Sequence, residues 1–218
     1  MSIECTVFVV DPDTSLRESL SRQIRGAGWQ ARFADSAQEF LAQPRLAQAC
    51  CLLVELRLPG LSGLELQQRV LDRVEMPVIF MSREADIPAT VRAMKAGASE
   101  FLTKPLGAAE TVAAIADALQ TSRSALRQRA QQQAFEQRLQ SLSLREREVM
   151  QLVVTGHLNK QVAAHLGISE VTVKVHRGKM MRKMRADSFA DLVNMTVFRT
   201  SAERAREYHA AAAAQHPY

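Results

Sequence analysis

Aromatic side chains are scarce: Phe, Trp and Tyr make up 5% of the 218 residues, with a single Trp. The core must therefore be built from aliphatic side chains and the 9 Met. No apolar run approaches the roughly 18 residues that a membrane span requires. The amino terminus, MSIECTVFVVDPD, has no basic region and reaches acidic residues too early for a secretory signal, so a cytoplasmic protein is expected. Cysteine is limited to Cys5, Cys50 and Cys51, an odd number without a CxxC pair. Reduced thiols in or near the core are the expected reading. The sharper alternative is a redox or soft-metal sensor, if neighbouring strands bring Cys5 up to Cys50 and Cys51. His157, His165 and His176 have no metal-ligand spacing with any cysteine.

Charge is present but uneven. Residues 1–121 hold 12 Lys+Arg against 15 Asp+Glu, whereas residues 122–218 hold 16 against 8. A basic half joined to a mildly acidic half points to a polyanion-binding module on a neutral partner domain.

Five apolar runs recur at intervals of 20 to 27 residues: TVFVV (6–10), QARFA (30–34), CLLVE (51–55), VIFM (78–81) and EFLT (100–103). Helical patterns separate them. Leu16, Leu20 and Ile24 stand at i, i+4 and i+8, with Gly26 and Gly28 as the stop. SAQEFLA, LELQQRVL and IPATVRAMKAG repeat the alternation, the last with Asp86 as N-cap and Pro88 in the first turn. Five βα units in about 120 residues imply a parallel sheet covered on both faces. Four polar residues fall at strand ends, where such sheets keep their chemistry: Asp11, Glu55, Ser82 and Lys104.

No Gly or Pro interrupts 108–155. Residues 122–140 therefore read as a helical linker between two domains. Val112, Leu119 and Leu126 at seven-residue spacing, then Phe135 and Leu139, leave open a dimerising amphipathic helix, though the seam lapses at Gln133. Beyond it no strand pattern remains. Ser143 and Glu146 form a capping box opening SLREREVMQLVV, and Gly156 ends that helix. NKQVAAHLGIS stops at Gly167, Ser169 caps EVTVKVHRGKMMRKMR, and SFADLVNMTVF follows. The tail 207–218 reads as disordered.

The stretches LSLREREVMQLV, NKQVAAHLGIS, VTVKVHRGKMMRKM and ADSFADLV make residues 141–206 resemble the LuxR/FixJ-type helix-turn-helix domain, an all-α, four-helix fold. The residue pattern agrees. Val173, His176, Met180 and Met184 form one stripe of helix 170–184 and should face the domain core, with His176 a structural histidine whose hydrogen bonds are satisfied. Val171, Lys174, Val175, Gly178 and Arg182 lie opposite. A basic outer face with a short apolar break suits the major groove of promoter DNA. There Lys174 reaches guanine acceptors and Val175 a thymine methyl. Thr172, Lys160, Arg177 and Lys179 flank it as expected phosphate contacts. Gly178 costs roughly 1 kcal/mol against Ala in a helix and lets the helix approach DNA closely. Binding is expected as a homodimer on paired half-sites, with RNA polymerase as a further partner.

The stretches VFVVDPDTSLRESL, LLVELRLPGLSGLEL and PVIFMSREADIPATVRAMKAGASEFLTKP make residues 1–121 resemble the response-regulator receiver domain, a flavodoxin-like, doubly wound α/β fold. In that family a strand-three aspartate accepts a phosphoryl group beside a divalent cation held by an acidic pair. The resemblance assigns Ser82 and Lys104 to the phosphoryl-binding positions and Phe101 to the switching aromatic. Two positions depart. Glu55 stands where the acceptor aspartate belongs, and Pro12 replaces the second acid beside Asp11. A hard cation loses an oxygen ligand at Pro12, so at most weak Mg²⁺ binding at Asp11 and Glu55 is expected, and no cofactor. The extra methylene of Glu55 advances its carboxylate by about 1.5 Å into the space of a phosphoryl group. Asp13 is expected to cap a helix.

Together these readings give a transcription regulator of response-regulator type, not an enzyme, in which Glu55 imitates a phosphorylated aspartate by engaging Ser82 and Lys104. The alternatives are an adaptor whose basic domain docks an acidic protein, and a regulator controlled by a ligand or partner at the receiver.

Overall fold

The computed structural model describes residues 5–83 and 87–196. The chain divides into two compact units, Met1–Gln128 and Arg129–Tyr218. Asp86, expected as an N-cap, the end of the last expected helix beyond 196 and the tail 207–218 lie outside the described residues.

In the first unit, β1 (Thr6–Val10), β2 (Gln30–Ala34), β3 (Cys50–Glu55), β4 (Val78–Ser82) and β5 (Glu100–Thr103) form one parallel sheet in the order β2-β1-β3-β4-β5. The helices between and after them are α1 (Thr14–Gly26), α2 (Ala37–Ala42), α3 (Gly63–Arg69), α4 (Ile87–Lys95) and α5 (Ala108–Gln140). β1, β3 and β4 are buried along their whole length, which is why they read as unbroken apolar runs. Alternate residues serve opposite faces. Phe8, Val10, Leu52, Val54 and Phe80 pack with Phe40 of α2, Leu66 of α3 and Ala89 and Ala93 of α4. Val7, Val9, Leu53, Ile79 and Met81 pack with Leu20 and Ile24 of α1 and with Ile115, Ala118 and Leu119 of α5. Leu20 and Ile24, fully buried one turn apart, each contribute roughly 1.5–3 kcal/mol. Gly28, at φ 84°, supplies the left-handed turn after α1, and Trp29 N–H then donates to Ile24 O at 3.1 Å.

All three cysteines are free and buried. The strand alternation separates them: Cys5 and Cys51 pack on one face of the sheet and Cys50 on the other. Burial pushes the Cys50 thiol up to about 11 and raises that of Cys51 as well, so neither forms the thiolate that redox chemistry needs.

Helix α5 corrects the reading of 122–140. Leu119 is buried and Leu126 packs on the same cluster, so these two positions of the stripe face the unit's own sheet. Ser122, fully buried, accepts from Cys50 N–H at 3.0 Å and donates to Glu75 O. At its other end, Phe135 and Leu139 join a core cluster of the second unit. Residues 122–140 thus supply core side chains at both ends and, through Ser122, buried hydrogen bonds at one.

The second unit continues with α6 (Leu144–Val154), α7 (Asn159–Leu166), α8 (Glu170–Met184) and a helical stretch at 189–196. The Ser143–Glu146 capping box forms as expected. Gly167, at φ 65°, closes α7, and Ser169 caps α8 by accepting from Thr172 N–H at 3.1 Å. Only Gly167, Ile168 and Ser169 separate the two helices. Val173, Met180 and Met184 are fully buried. His176 shares their stripe but is half-buried, and its Nδ1 is buried without a hydrogen-bond partner. The expected satisfied histidine is not what the packing provides.

Candidate functional site

Two surfaces concentrate the polar residues singled out above, one in each unit. In the first unit the strand register brings the carboxyl ends of β1, β3, β4 and β5 level: Val10 pairs with Val54, Glu55 with Met81, and Ser82 with Thr103. Asp11, Glu55, Ser82 and Lys104 therefore converge on one pocket of about 330 Å³, which Pro12, Asp13, Arg57 and Arg83 complete.

Lys104 organises it. Its ammonium donates to Asp11 Oδ2 at 2.6 Å and to Glu55 Oε2. All three side chains are nearly out of solvent: 9% exposed for Lys104, 1% for Asp11 and 11% for Glu55. The remaining lone pairs are served by the backbone, as buried charge requires. Asp13 N–H donates to Asp11 Oδ1 at 2.8 Å, and Arg57 N–H to Glu55 Oε1 at 3.1 Å. Lys104 N–H donates to Ser82 O at 2.8 Å, tying β5 to β4 below the pocket, and the Lys104–Pro105 peptide is cis. Ser82 is buried at the pocket wall. Phe101 is half-buried against the Phe8–Phe80 cluster.

Asp13 fills the expected capping role. Its Oδ1 accepts from Leu16 N–H at 3.2 Å, and its Oδ2 pairs with Arg83 at 2.9 Å. The Leu16 N–H, then the Arg83 guanidinium, hold its carboxyl below the ordinary 3.8. The donor set does not fit a divalent cation. Pro12 offers no side-chain oxygen, Asp13 is engaged, and an ammonium already sits on both Asp11 and Glu55. The lining carries three acids and three cations, so its formal charge is zero.

Sequence reasoning missed Gly63, Arg57 and Arg83. A Cβ on Gly63 would stand 2.5 Å from Glu55 O and 3.1 Å from Phe80, so this glycine lets α3 start directly against the end of β3. A contact between residues eight positions apart leaves no mark in an apolar run. Both arginines follow a strand-end polar residue by one or two positions, which is the signal that was available.

In the second unit, α8 presents Val171, Lys174, Val175, Gly178, Lys179 and Arg182 to solvent, and Lys160 of α7 is exposed too. Its basic residues divide by whether the domain already uses them. Arg177 donates to Asn159 Oδ1 at 3.0 Å and lies 5.6 Å from the Phe189 ring centroid. It joins three helical segments, unlike the outward phosphate contact expected of it. Lys183 donates to Glu146 Oε2 at 2.6 Å and to Ser141 O at 3.0 Å. The Thr172 hydroxyl is engaged with Ser169 Oγ at 2.8 Å. Lys160, Lys174, Lys179 and Arg182 have no internal hydrogen-bond or ion-pair partner among the described residues.

A receiver-type pocket followed by a helix-turn-helix with an uncommitted basic face defines a response regulator with a DNA-binding output. The comparisons agree. The family described as response regulator receiver domain matches residues 7–116, and that described as bacterial regulatory proteins, luxR family, matches residues 140–196. The chain belongs to the LuxR/FixJ family of DNA-binding transcriptional response regulators. It is 44% identical to nodulation protein W of Bradyrhizobium diazoefficiens, over 89% of this chain and 86% of that protein. It is 38% identical to the transcriptional regulatory protein FixJ of Azorhizobium caulinodans, over 88% of this chain and 91% of that one. Among solved structures, the response regulator StyR aligns with a TM-score of 0.80 at 44% identity, covering 88% of this chain and 98% of its own. Full-length FixJ from B. japonicum aligns with a TM-score of 0.54 at 36% identity, covering 88% and 96%. Among the described residues no helix is long and apolar enough to cross a membrane.

Proposed function

We propose that this regulator binds promoter DNA without receiving a phosphoryl group, because Glu55 fixes its receiver in the arrangement that a phosphorylated aspartate would otherwise create. The observation that carries the reading is the Lys104 bridge. Its ammonium holds Glu55 and Asp11 together, so the Glu55 carboxylate takes a cationic partner that a transferred phosphoryl group would need. The Arg57 N–H on Glu55 Oε1 supplies a second such donor. Phosphoryl transfer relies on a metal ion to neutralise developing charge, and Pro12 and the engaged Asp13 leave few oxygens to hold one.

On the output side, Lys174 and Val175 read base edges in the major groove. Lys160, Lys179 and Arg182 contact phosphates, and two copies occupy paired half-sites. The protein works in the cytoplasm, where RNA polymerase is its natural partner.

The test is operator binding and self-association by unmodified full-length protein, Glu55→Gln and Glu55→Asp. The parent should bind and dimerise as purified, and Glu55→Gln should lose at least part of both. Glu55→Asp should bind weakly with or without a small-molecule phosphodonor, since Pro12 and the engaged Asp13 still leave few oxygens for a metal ion. Equal binding by Glu55→Gln ends the mimicry reading. A stable acyl phosphate on the parent, seen by intact mass after phosphodonor treatment, overturns phosphorylation independence. Footprinting that shows no sequence-specific protection favours an adaptor that docks an acidic protein.

A further inference from the structure

The outer stripe of α8 contains residues that the fold itself does not use. Val171 is 70% exposed and Val175 49% exposed, although β-branched side chains are poor helix formers and gain nothing from solvent. Gly178 stands three residues after Val175 on the same face. A glycine inside a helix costs roughly 1 kcal/mol against alanine, and here nothing in the domain asks for it. Its φ is not left-handed, and a Cβ placed on it would meet no atom within 4 Å. Gly63 gives the contrast, where an added Cβ would strike Glu55 O at 2.5 Å. The reason for Val171, Val175 and Gly178 lies outside the chain.

From this stripe we infer the kind of half-site the helix recognises: two thymine methyl groups flanking the base that Lys174 reads, approached closely because Gly178 has no side chain. The inference rests on the DNA-binding reading of α8 proposed above and deepens it. Val171 and Val175 are one turn apart, a rise of about 6 Å. That spans roughly two base steps at about 3.4 Å each. The thymine C5-methyl is the apolar group the major groove offers, so a pair of valine side chains matches a pair of methyls. Lys174, uncommitted and between the two valines in sequence, takes the guanine acceptors. With Gly178 one turn further along, no Cβ holds the backbone off the groove wall at that point. The three positions thus set both composition and depth of contact.

The experiment selects preferred duplexes from a random pool with the full-length chain. It then replaces each selected thymine singly by uracil, which removes the methyl and nothing else. Removing either predicted methyl should weaken the parent's binding about fourfold. The same replacement should leave Val171→Ala unchanged at one position and Val175→Ala unchanged at the other. Gly178→Ala should melt at a higher temperature than the parent yet bind the selected duplex at least tenfold more weakly. Specific binding indifferent to both methyls overturns the inference and leaves the DNA-binding reading standing. So does Gly178→Ala binding as well as the parent. Selection that enriches no sequence overturns both.

Discussion

The structure makes removal of Lys104 costly. Its ammonium is the cation shared by Asp11, 1% exposed in its side chain, and Glu55, 11% exposed. Lys104→Met keeps most of the stem and deletes the charge, leaving two buried carboxylates facing each other. Removing one partner of a buried ion pair costs about 3–5 kcal/mol, a large share of the roughly 5–15 kcal/mol that holds a domain folded. Trp29, the single Trp, is half-buried against the Leu20–Leu119 cluster and reports unfolding of this unit alone. With a urea dependence of about 2 kcal/mol per molar, the midpoint should fall by about 2 M. Adding Glu55→Gln to the variant should recover part of the loss, because one carboxylate no longer needs neutralising. A Lys104→Met midpoint within about 0.3 M of the parent would refute the reasoning, since it would mean that water already screens the pocket. A double variant no more stable than Lys104→Met would show that Lys104 and Glu55 are not coupled.

Three further outcomes follow from contacts elsewhere. Ser122→Ala leaves the buried Cys50 N–H without its acceptor and withdraws the donor from Glu75 O, and the Trp29 transition should move by about 1–3 kcal/mol. Gly63→Ala forces a Cβ against Glu55 O. It should destabilise the same unit by about 1–3 kcal/mol, where an alanine in most exposed helix positions would do the opposite. Glu146 is held below the ordinary Glu value of 4.5, first by the Lys183 ammonium and then by Ser143 N–H. Its contribution is complete above that value and disappears as pH falls through the lower folded one. Thermal melts followed by far-UV circular dichroism should show the second unit losing stability on acidification, and Lys183→Met should flatten that dependence.

The sheet and its pocket were legible because burial on both faces writes itself into sequence as apolar runs, and the residue ending each run must stand at the sheet's edge. Asp11, Glu55, Ser82 and Lys104 were found by that rule, and the register brings them level. The capping roles of Asp13, Ser143 and Ser169 were legible too, since they act within a few residues. What escaped depended on contacts distant in sequence. The partners of Ser122 are 72 and 47 positions away, and the stripe on α5 looked the same whether it met a sheet or a second helix. Arg177 reads as one more basic residue of a basic helix until Asn159 and Phe189 are placed beside it. Charge in the sequence shows how many cations a domain has, and only the fold shows which of them are already bound.

A dissolved metal ion occupies its ligands according to a binding isotherm: its presence depends on concentration, competitors and chelators. The ammonium of Lys104 reaches Asp11 and Glu55 on a covalent stem. It has no dissociation constant, only a conformational equilibrium set by the chain around it. Dilution, chelation or magnesium depletion cannot draw it away. The cation of this pocket is therefore fixed in the gene and does not vary with the ions around the protein.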